Sequence, residues 1–211
     1  MKILIKKLFF RLLTELKNTK VKSDKLFYFI INLESNIAKT TSYIVSQAKT
    51  IEDLELIIKE RETYFAKMYQ EWLANGYICF IVKEIDSTIG IVWLNNTRVV
   101  PLEFGYRQIL NDKTEAALID AYVVKNKRGK GVYKALWSQL LKEAKKIGIK
   151  TLYVHILNNN VLSFKVHYKL GMKRVTKILY YYRILWFNIY FVRNLKNLVD
   201  ITYFKKYLKL N

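Results

Sequence analysis

The sequence predicts an α/β domain in which strands and amphipathic helices share one core, and three observations predict it. A β-branched run ends in a basic turn with two glycines that opens onto a helix, Val123-Val124-Lys125-Asn126-Lys127-Arg128-Gly129-Lys130-Gly131-Val132. A second strand-like run at residues 151–156 and a second helix follow it. Upstream, two apolar runs flank Asp86-Ser87 as a hairpin. With 211 residues, 52% of them hydrophobic and 15% aromatic, the chain is long and apolar enough to bury a core rather than remain disordered.

Residues 42–47 alternate like a first strand. Thr50 and Asp53 then open a helical region that runs towards Trp72 and is broken by Asn75-Gly76. Residues 77–83 and 88–94 make the hairpin. A further strand lies near residues 98–104, where Pro101, the only proline, marks an edge or a bulge. Residues 118–124 form the next strand. In the helix behind the basic turn, Val132, Leu136, Leu140, Ala144 and Ile147 recur at helical spacing while Lys134, Lys142, Lys145 and Lys146 face away, and Gly148 ends it. After the strand at 151–156, Asn158-Asn159-Asn160 turns the chain into a helix at 162–170, which Gly171 stops.

The basic turn has the makings of an anion site. The first amides of a helix lack intrahelical partners and lie at the positive end of its dipole. Two glycines let the backbone close on a phosphate, and Lys127, Arg128 and Lys130 add full charges. A pyrophosphate suits such a site. Taken alone, the turn reads equally as an ordinary strand-to-helix connection in a Lys-rich chain.

R-G-K-G, a helix, G-I-x-x-L-x-V-x-I and N-x-x-S-x-x-x-H-x-K-L-G-M follow one another in order, and at these spacings residues 42–183 resemble the GNAT family of N-acyltransferases. The resemblance implies the family's α/β (α+β) fold: a mixed, mostly antiparallel sheet with a central pair of parallel strands that splay apart, flanked by helices. It implies acetyl-CoA (acyl-CoA) as co-substrate. Backbone amides of Arg128, Gly129, Lys130, Gly131, Val132 and Tyr133 would hold its pyrophosphate. Its pantetheine arm would lie between the strands at 118–124 and 151–156, paired with the main chain of Val123 and Val124. Asn160 and Ser163 fall at family positions that line the donor.

This chain departs from the family pattern twice. Asn126 stands where members often carry Gln or Arg, and His167 where many have the tyrosine that protonates the leaving thiolate. Relatives resembling phosphinothricin acetyltransferases share the S-x-x-x-H-x-K-L-G pattern. A histidine with a pKa near about 6.5 can give or take a proton, and a helix histidine beside an apolar core equally serves as a hydrogen-bonded packing residue. Tyr168 is the neighbouring acid candidate and reads equally as a half-buried aromatic.

An amine with a pKa of about 10 is a cation at neutral pH and cannot attack a thioester, so a base or a water chain must take its proton. Asp120, set in an apolar strand, is the first candidate; Glu115 at that strand's entrance and Glu103 on a preceding one are the others. Asp120 reads equally as a structural hydrogen-bond acceptor. Trp72, Trp93, Tyr106 and Arg107 are plausible contacts for the acceptor, opposite the donor. Other chemistries find little footing. Cys79 sits in an apolar run as a small core residue, and His155 and His167 are too few and too poorly spaced for a metal site. Ser163 lacks a nucleophile-elbow pattern, so covalent catalysis is not indicated.

The ends hold most of the net charge of +20. Residues 1–50 carry ten Lys/Arg against three Asp/Glu, and residues 172–211 nine against one. These limits suggest three parts: a basic amphipathic extension at 1–41, the acyltransferase domain at 42–185, and a basic aromatic helix at 186–211. Ile5, Leu8, Phe9, Leu12, Leu13 and Leu16 share one helical face, and Phe187, Phe191, Leu195 and Leu198 make a similar stripe. Such faces dock on their own domain or lie on an anionic membrane surface. Arg183 and Arg193 interrupt the best spanning candidate, and Lys6 and Lys7 break any signal-peptide core, so a cytoplasmic protein is expected, with the inner membrane face as an optional partner.

The expected function is acetyl transfer from acetyl-CoA to a small-molecule or peptide amine in a ternary complex. Two alternatives stand beside it: an aminoacyl-tRNA-dependent transferase of related fold, and a non-catalytic basic module that binds membrane or nucleic acid. An intact pyrophosphate turn on one domain weighs against nucleic acid as a partner.

Overall fold

A computed structural model describes residues 22–33, 42–102, 105–111, 113–172, 174–184 and 187–200. Ten strands occur there: β1 (Lys22–Asn32), β2 (Val45–Gln47), β3 (Ile78–Glu84), β4 (Ser87–Asn95), β5 (Val99–Pro101), β6 (Arg107–Ile109), β7 (Glu115–Val123), β8 (Thr151–Leu157), β9 (Arg174–Ile184) and β10 (Phe187–Asp200). The helices are α1 (Glu55–Glu60), α2 (Tyr64–Ala74), α3 (Val132–Lys146) and α4 (Val161–Lys169). Eight strands form one sheet in the order β10-β9-β1-β8-β7-β4-β3-β2, and β5 pairs with β6 in a separate ribbon. Only β7 and β8 run parallel; every other pair is antiparallel.

The parallel pair follows from the connection. An antiparallel return needs only a short turn, whereas a parallel one needs a crossover, and α3 supplies it. Of the residues whose spacing predicts the helix, Val132, Leu136, Leu140 and Ala144 are buried, while Ile147, which caps its C-terminus, is 43% exposed. Gly90 of β4 sits beneath α3 so closely that a Cβ there would meet Cγ1 of Val132 at 2.6 Å and Cδ1 of Leu136 at 3.1 Å. The crossover thus packs against the sheet through a position that tolerates no side chain.

Two expectations are corrected. Residues 22–32, assigned to a basic extension, form β1 between β8 and β9 inside the sheet. Leu26, Phe27, Tyr28, Phe29, Ile31 and Leu33 are buried, so an unbroken apolar run is satisfied by core on both faces rather than by one amphipathic stripe. Residues 187–200, expected as a helix, form β10 in a hairpin with β9. The apolar spacings of four at Phe187, Phe191 and Leu195 fit a period of two as well as 3.6, and Ile189 between them fits only the strand. The helical region after Thr50 is present as a short 3-10 turn at Glu52–Leu54 followed by α1 and α2, separated at Arg61.

Asp53 accepts hydrogen bonds from the Lys49 and Thr50 amides at 2.9 and 3.4 Å, which gives that region its start. Pro101 closes β5 in the two-stranded ribbon, where a missing N–H is tolerated. The amphipathic stripe at residues 5–16 lies outside the described residues, as do Glu103 and residues 201–211. No helix among the described residues is long and apolar enough to cross a membrane.

Replacing Gly90 with Ala forces β4 and α3 apart. Overpacking of this kind costs about 1–3 kcal/mol. Urea or thermal unfolding of Gly90→Ala against the parent chain measures the loss, and an unchanged midpoint would refute the close approach.

Candidate active site

The site begins as a break in the sheet. β7 and β8 pair from Glu115↔Thr151 to Leu118↔Val154 and then part. Beyond that point β7 continues to Val123 on β4 alone, while β8 continues to Leu157 on β1 alone. The cause is local: the β4–β7 register runs Trp93↔Asp120 and then Leu94↔Leu118, so Ile119 is an extra residue on β7. A bulge bends and twists the strand that carries it, and this one falls where pairing with β8 ends. The resulting cleft measures about 570 Å³ and is lined from both strands, α2, β5 and the first turns of α4.

The basic turn lies at the far end of β7. Gly129 and Gly131 adopt φ of +77° and +87°, which other residues reach only with strain, and a Cβ at Gly129 would meet nothing within 4 Å. The helical ladder starts with Ala135 N–H donating to Gly131 O at 3.1 Å. Amides of residues 129–134 therefore make no backbone hydrogen bond among the described residues. An open concavity of free N–H groups at a helix start fits the pyrophosphate of acyl-CoA. Lys127 is ion-paired with Glu84, Lys130 is exposed, and Arg128 donates from Nε to Val123 O at 3.0 Å. Val124 is a correction: its N–H donates to Ile89 O and its carbonyl accepts from Lys127 N, both at 3.0 Å. Its main chain braces the turn rather than facing a donor.

At the N-terminus of α4, Asn160 caps the helix by accepting from Ser163 N at 3.1 Å. Asn160, Ser163 and His167 all line the cleft, one helical turn apart along α4. His167 is buried, and burial pulls its pKa down to about 4 against the opposing hydrogen bond to Ser163. Its Nδ1 lies 2.8 Å from Ser163 O, which can only accept, so Nδ1 carries the proton. Nε2 then accepts from the Tyr133 hydroxyl at 2.7 Å. Burial, reinforced by the charge of Asp120, raises the Tyr133 pKa. The packing and proton-carrying readings of His167 thus meet in one cluster. Tyr168, on the next position of α4, is 37% exposed and does not line the cleft.

Asp120 lines the cleft at the bulge. Its Oδ2 accepts from Arg61 Nη1 at 2.5 Å and from the Tyr69 hydroxyl at 2.5 Å, while Oδ1 accepts no hydrogen bond among the described residues. Arg61 and Asp120 side chains are only 17% and 15% exposed, so water screens this pair weakly. Arg61 also lies 3.6 Å over the Phe65 ring, and Tyr69 stacks on Trp93 with centroids 5.2 Å apart. Glu115 is elsewhere. At the paired end of β7 it accepts from Asn111 N at 2.9 Å and the Tyr153 hydroxyl at 2.8 Å, away from the cleft. Trp72 lines the cleft; Trp93 is core, and Tyr106 and Arg107 stand outside the lining.

His155 was weighed in the sequence only as a metal ligand. It lines the cleft, donates from Nε2 to Gln108 Oε1 at 2.6 Å, and burial pulls its pKa down to about 3. No group of three or more metal-capable His, Cys, Asp or Glu side chains occurs among the described residues. Arg61, Tyr69 and Gln108 carry no motif, since their partners stand 59, 51 and 47 positions away.

A splayed parallel pair with a free-amide turn at its end invites comparison with known folds. The acetyltransferase (GNAT) family profile matches residues 46–172, more than half of the chain. The chain belongs to that family. No curated protein matches its sequence. Among solved structures, this GNAT chain is similar to an N-acetyltransferase from Staphylococcus aureus Mu50, with 21% identity and a TM-score of 0.51 over 74% of this chain and 100% of that one. Similarity to a ribosomal-protein-alanine N-acetyltransferase from Brucella melitensis is 18% identity with TM-score 0.50, covering 67% and 99%. A GNAT-family protein from Novosphingobium aromaticivorans DSM 12444 gives 10% identity and TM-score 0.54, covering 76% of this chain and 64% of that one. This chain thus spans less than two thirds of that relative's length. At such identities the likeness is one of fold: a mostly antiparallel sheet with a parallel pair.

Two buried neutral histidines make the fold acid-sensitive. The unfolded chain takes up a proton on each near pH 6.5, while the folded chain refuses it until about 4 at His167 and about 3 at His155. Stability is complete above pH 6.5 and falls as the pH drops towards 4, by on the order of 3 kcal/mol from His167 alone. Thermal melts from pH 7 to 4.5 should show this decline, and His167→Asn should make it shallower while the share of His155 remains.

Proposed function

We propose that the protein transfers an acetyl group from acetyl-CoA to a primary amine by direct attack in a ternary complex. The observation that carries this reading is the gap between β7 and β8, which joins a turn of free amides to a cleft holding a carboxylate. Membership of the acetyltransferase family supports it. The pyrophosphate would rest on amides from Gly129, Lys130, Gly131, Val132 and Tyr133, with Arg128 and Lys130 beside it. The pantetheine arm would run along the edges that β7 and β8 leave unpaired, past Val123, Asn160 and Ser163. Backbone groups there have no strand across the gap to bond.

The reaction makes one bond and breaks one. The amine nitrogen attacks the acyl carbon, the C–N bond forms, the C–S bond breaks and the sulfur leaves as thiolate. An ammonium acceptor sheds two protons in all: one to solvent before attack, and a second, balanced by the one the thiolate takes up, as the amide forms. We assign Asp120 to the amine side, where Oδ1 remains to accept an N–H and the Arg61–Tyr69 clamp on Oδ2 fixes the carboxylate. His167, with Tyr133 on its Nε2, is assigned to the thiolate side as the proton-carrying pair. Tyr168 and Glu115 have no part in this arrangement, since neither lines the cleft.

Acetyl-CoA should raise the melting temperature, while RNA and anionic vesicles should not. Coenzyme A release over a panel of primary amines tests turnover. Gly131→Val removes the residue whose φ of +87° shapes the amide turn. It should weaken acetyl-CoA binding by calorimetry at least about tenfold, with the circular dichroism of the fold retained. Unchanged affinity would remove the donor assignment. Tyr133→Phe should lower kcat with acetyl-CoA affinity kept, because only the hydroxyl on His167 is lost.

A further inference from the structure

The charge of the cleft is opposite to that of the chain. Among the described residues that line it, the only cation is Arg61, and Asp120 cancels it at 2.5 Å. His155 and His167 are held neutral at pH 7 by burial. Glu71 is left, and it gives the described lining a net negative charge in a protein whose net charge is +20. The basic side chains flanking the donor turn, Lys127, Arg128 and Lys130, do not line this cleft. The positive charge thus stands beside the donor turn, and the unbalanced negative charge stands in the cleft.

Glu71 is also badly placed for stability. It lies in the last turn of α2, at the negative end of the helix dipole, and that turn contains no basic residue. It is exposed and makes no ion pair among the described residues. Tyr64, Met68 and Glu71 stand at i, i+4 and i+7 on the cleft-facing side of α2, so the carboxylate rises from an apolar stripe. Tyr64 is 58% exposed, with its ring centroid 4.3 Å from that of Phe65.

A carboxylate that grips the reacting ammonium raises its pKa and opposes the deprotonation that attack requires. Glu71 assists transfer only if its partner keeps its charge throughout. We propose that the acceptor is an amine bearing a second, non-reacting cationic group, held at Glu71 while its apolar body lies along Met68 and Phe65. The proposal rests on the acetyl-transfer reading and narrows its acceptor class.

Two probes of equal length separate the charges. Acetyl-CoA turnover is compared for 1,5-diaminopentane and 5-aminopentan-1-ol, which differ only in the distal group. The parent protein should prefer the diamine in kcat/KM by about fivefold or more at low salt, as the stronger exposed ion pairs allow, and the preference should shrink as salt is added. In Glu71→Gln the ratio should approach two, the statistical factor for a diamine with two reactive ends, with calorimetric acetyl-CoA affinity unchanged, and Glu71→Asp should restore part of the preference. Glu71→Gln should melt no lower than the parent, because it relieves the helix end. A parent ratio near the statistical value of two, or a larger preference kept in Glu71→Gln, overturns the proposal. Acetyl-CoA binding with no turnover of either amine overturns it too, while leaving the donor reading in place. Failure to bind acetyl-CoA overturns the reading on which it rests.

Discussion

One extra residue, Ile119, governs the architecture of the site. Sheets close laterally because each strand satisfies its neighbours' N–H and C=O groups, and an opening in mid-sheet leaves those groups without partners. The bulge at Ile119 releases β7 from β8 after Leu118 while β4 continues to hold it to Val123. On the other side of the opening, β1 holds β8 to Leu157. Neither lip of the gap is loose. The gap is a slot held from both sides, with strand edges unpaired across it, a form that suits an extended ligand better than a compact one.

That support depends on the segment least expected to supply it. Without β1, β8 would lose its antiparallel neighbour, and β9 with β10 would lose their connection to the sheet. The chain brings a strand from before the recognisable motifs to the side of β8 distant from the gap. Its aromatic residues Phe27 and Phe29 then meet Phe164 of α4 edge-on, with centroids 5.4 and 5.7 Å away. The same strand that stiffens one lip thus seats the helix bearing Asn160, Ser163 and His167.

Much of this was legible in the sequence, and the limits have physical reasons. The amide turn, α3 with its glycine end, β8 and the capped α4 were all readable because each rests on local rules: spacing, φ-permissive glycines and a side-chain cap. Asp120 was readable as an oddity, an acid in an apolar strand. Its partners were not, because Arg61 and Tyr69 reach it across 59 and 51 residues and carry no pattern of their own. The tautomer of His167 was equally hidden, since it depends on which atoms face each ring nitrogen. β10 was misread because its apolar spacing serves two periods, and a neighbouring strand decided between them. Residues 22–32 read as part of a basic extension because the charge balance over residues 1–50 masks the almost purely apolar run from Leu26 to Leu33.

The Arg61–Asp120–Tyr69 cluster is costly in a way that a purely structural role does not explain. Weakly hydrated ion pairs pay desolvation on both partners, and apolar side chains of the same volume commonly hold a fold as well or better. Arg61 stands at the break between α1 and α2, and Tyr69 stacks on Trp93 of β4, so the cluster ties α1 and α2 to the bulge itself. An apolar tie would anchor α2 equally firmly, but it would leave the wall beside the splayed edges without a polar group. With both bonds converging on Oδ2, the cluster instead presents a carboxylate whose position is fixed and whose charge is balanced. A balanced carboxylate can accept a hydrogen bond from a neutral amine without gripping its ammonium form, which is the property the proposed transfer asks of Asp120.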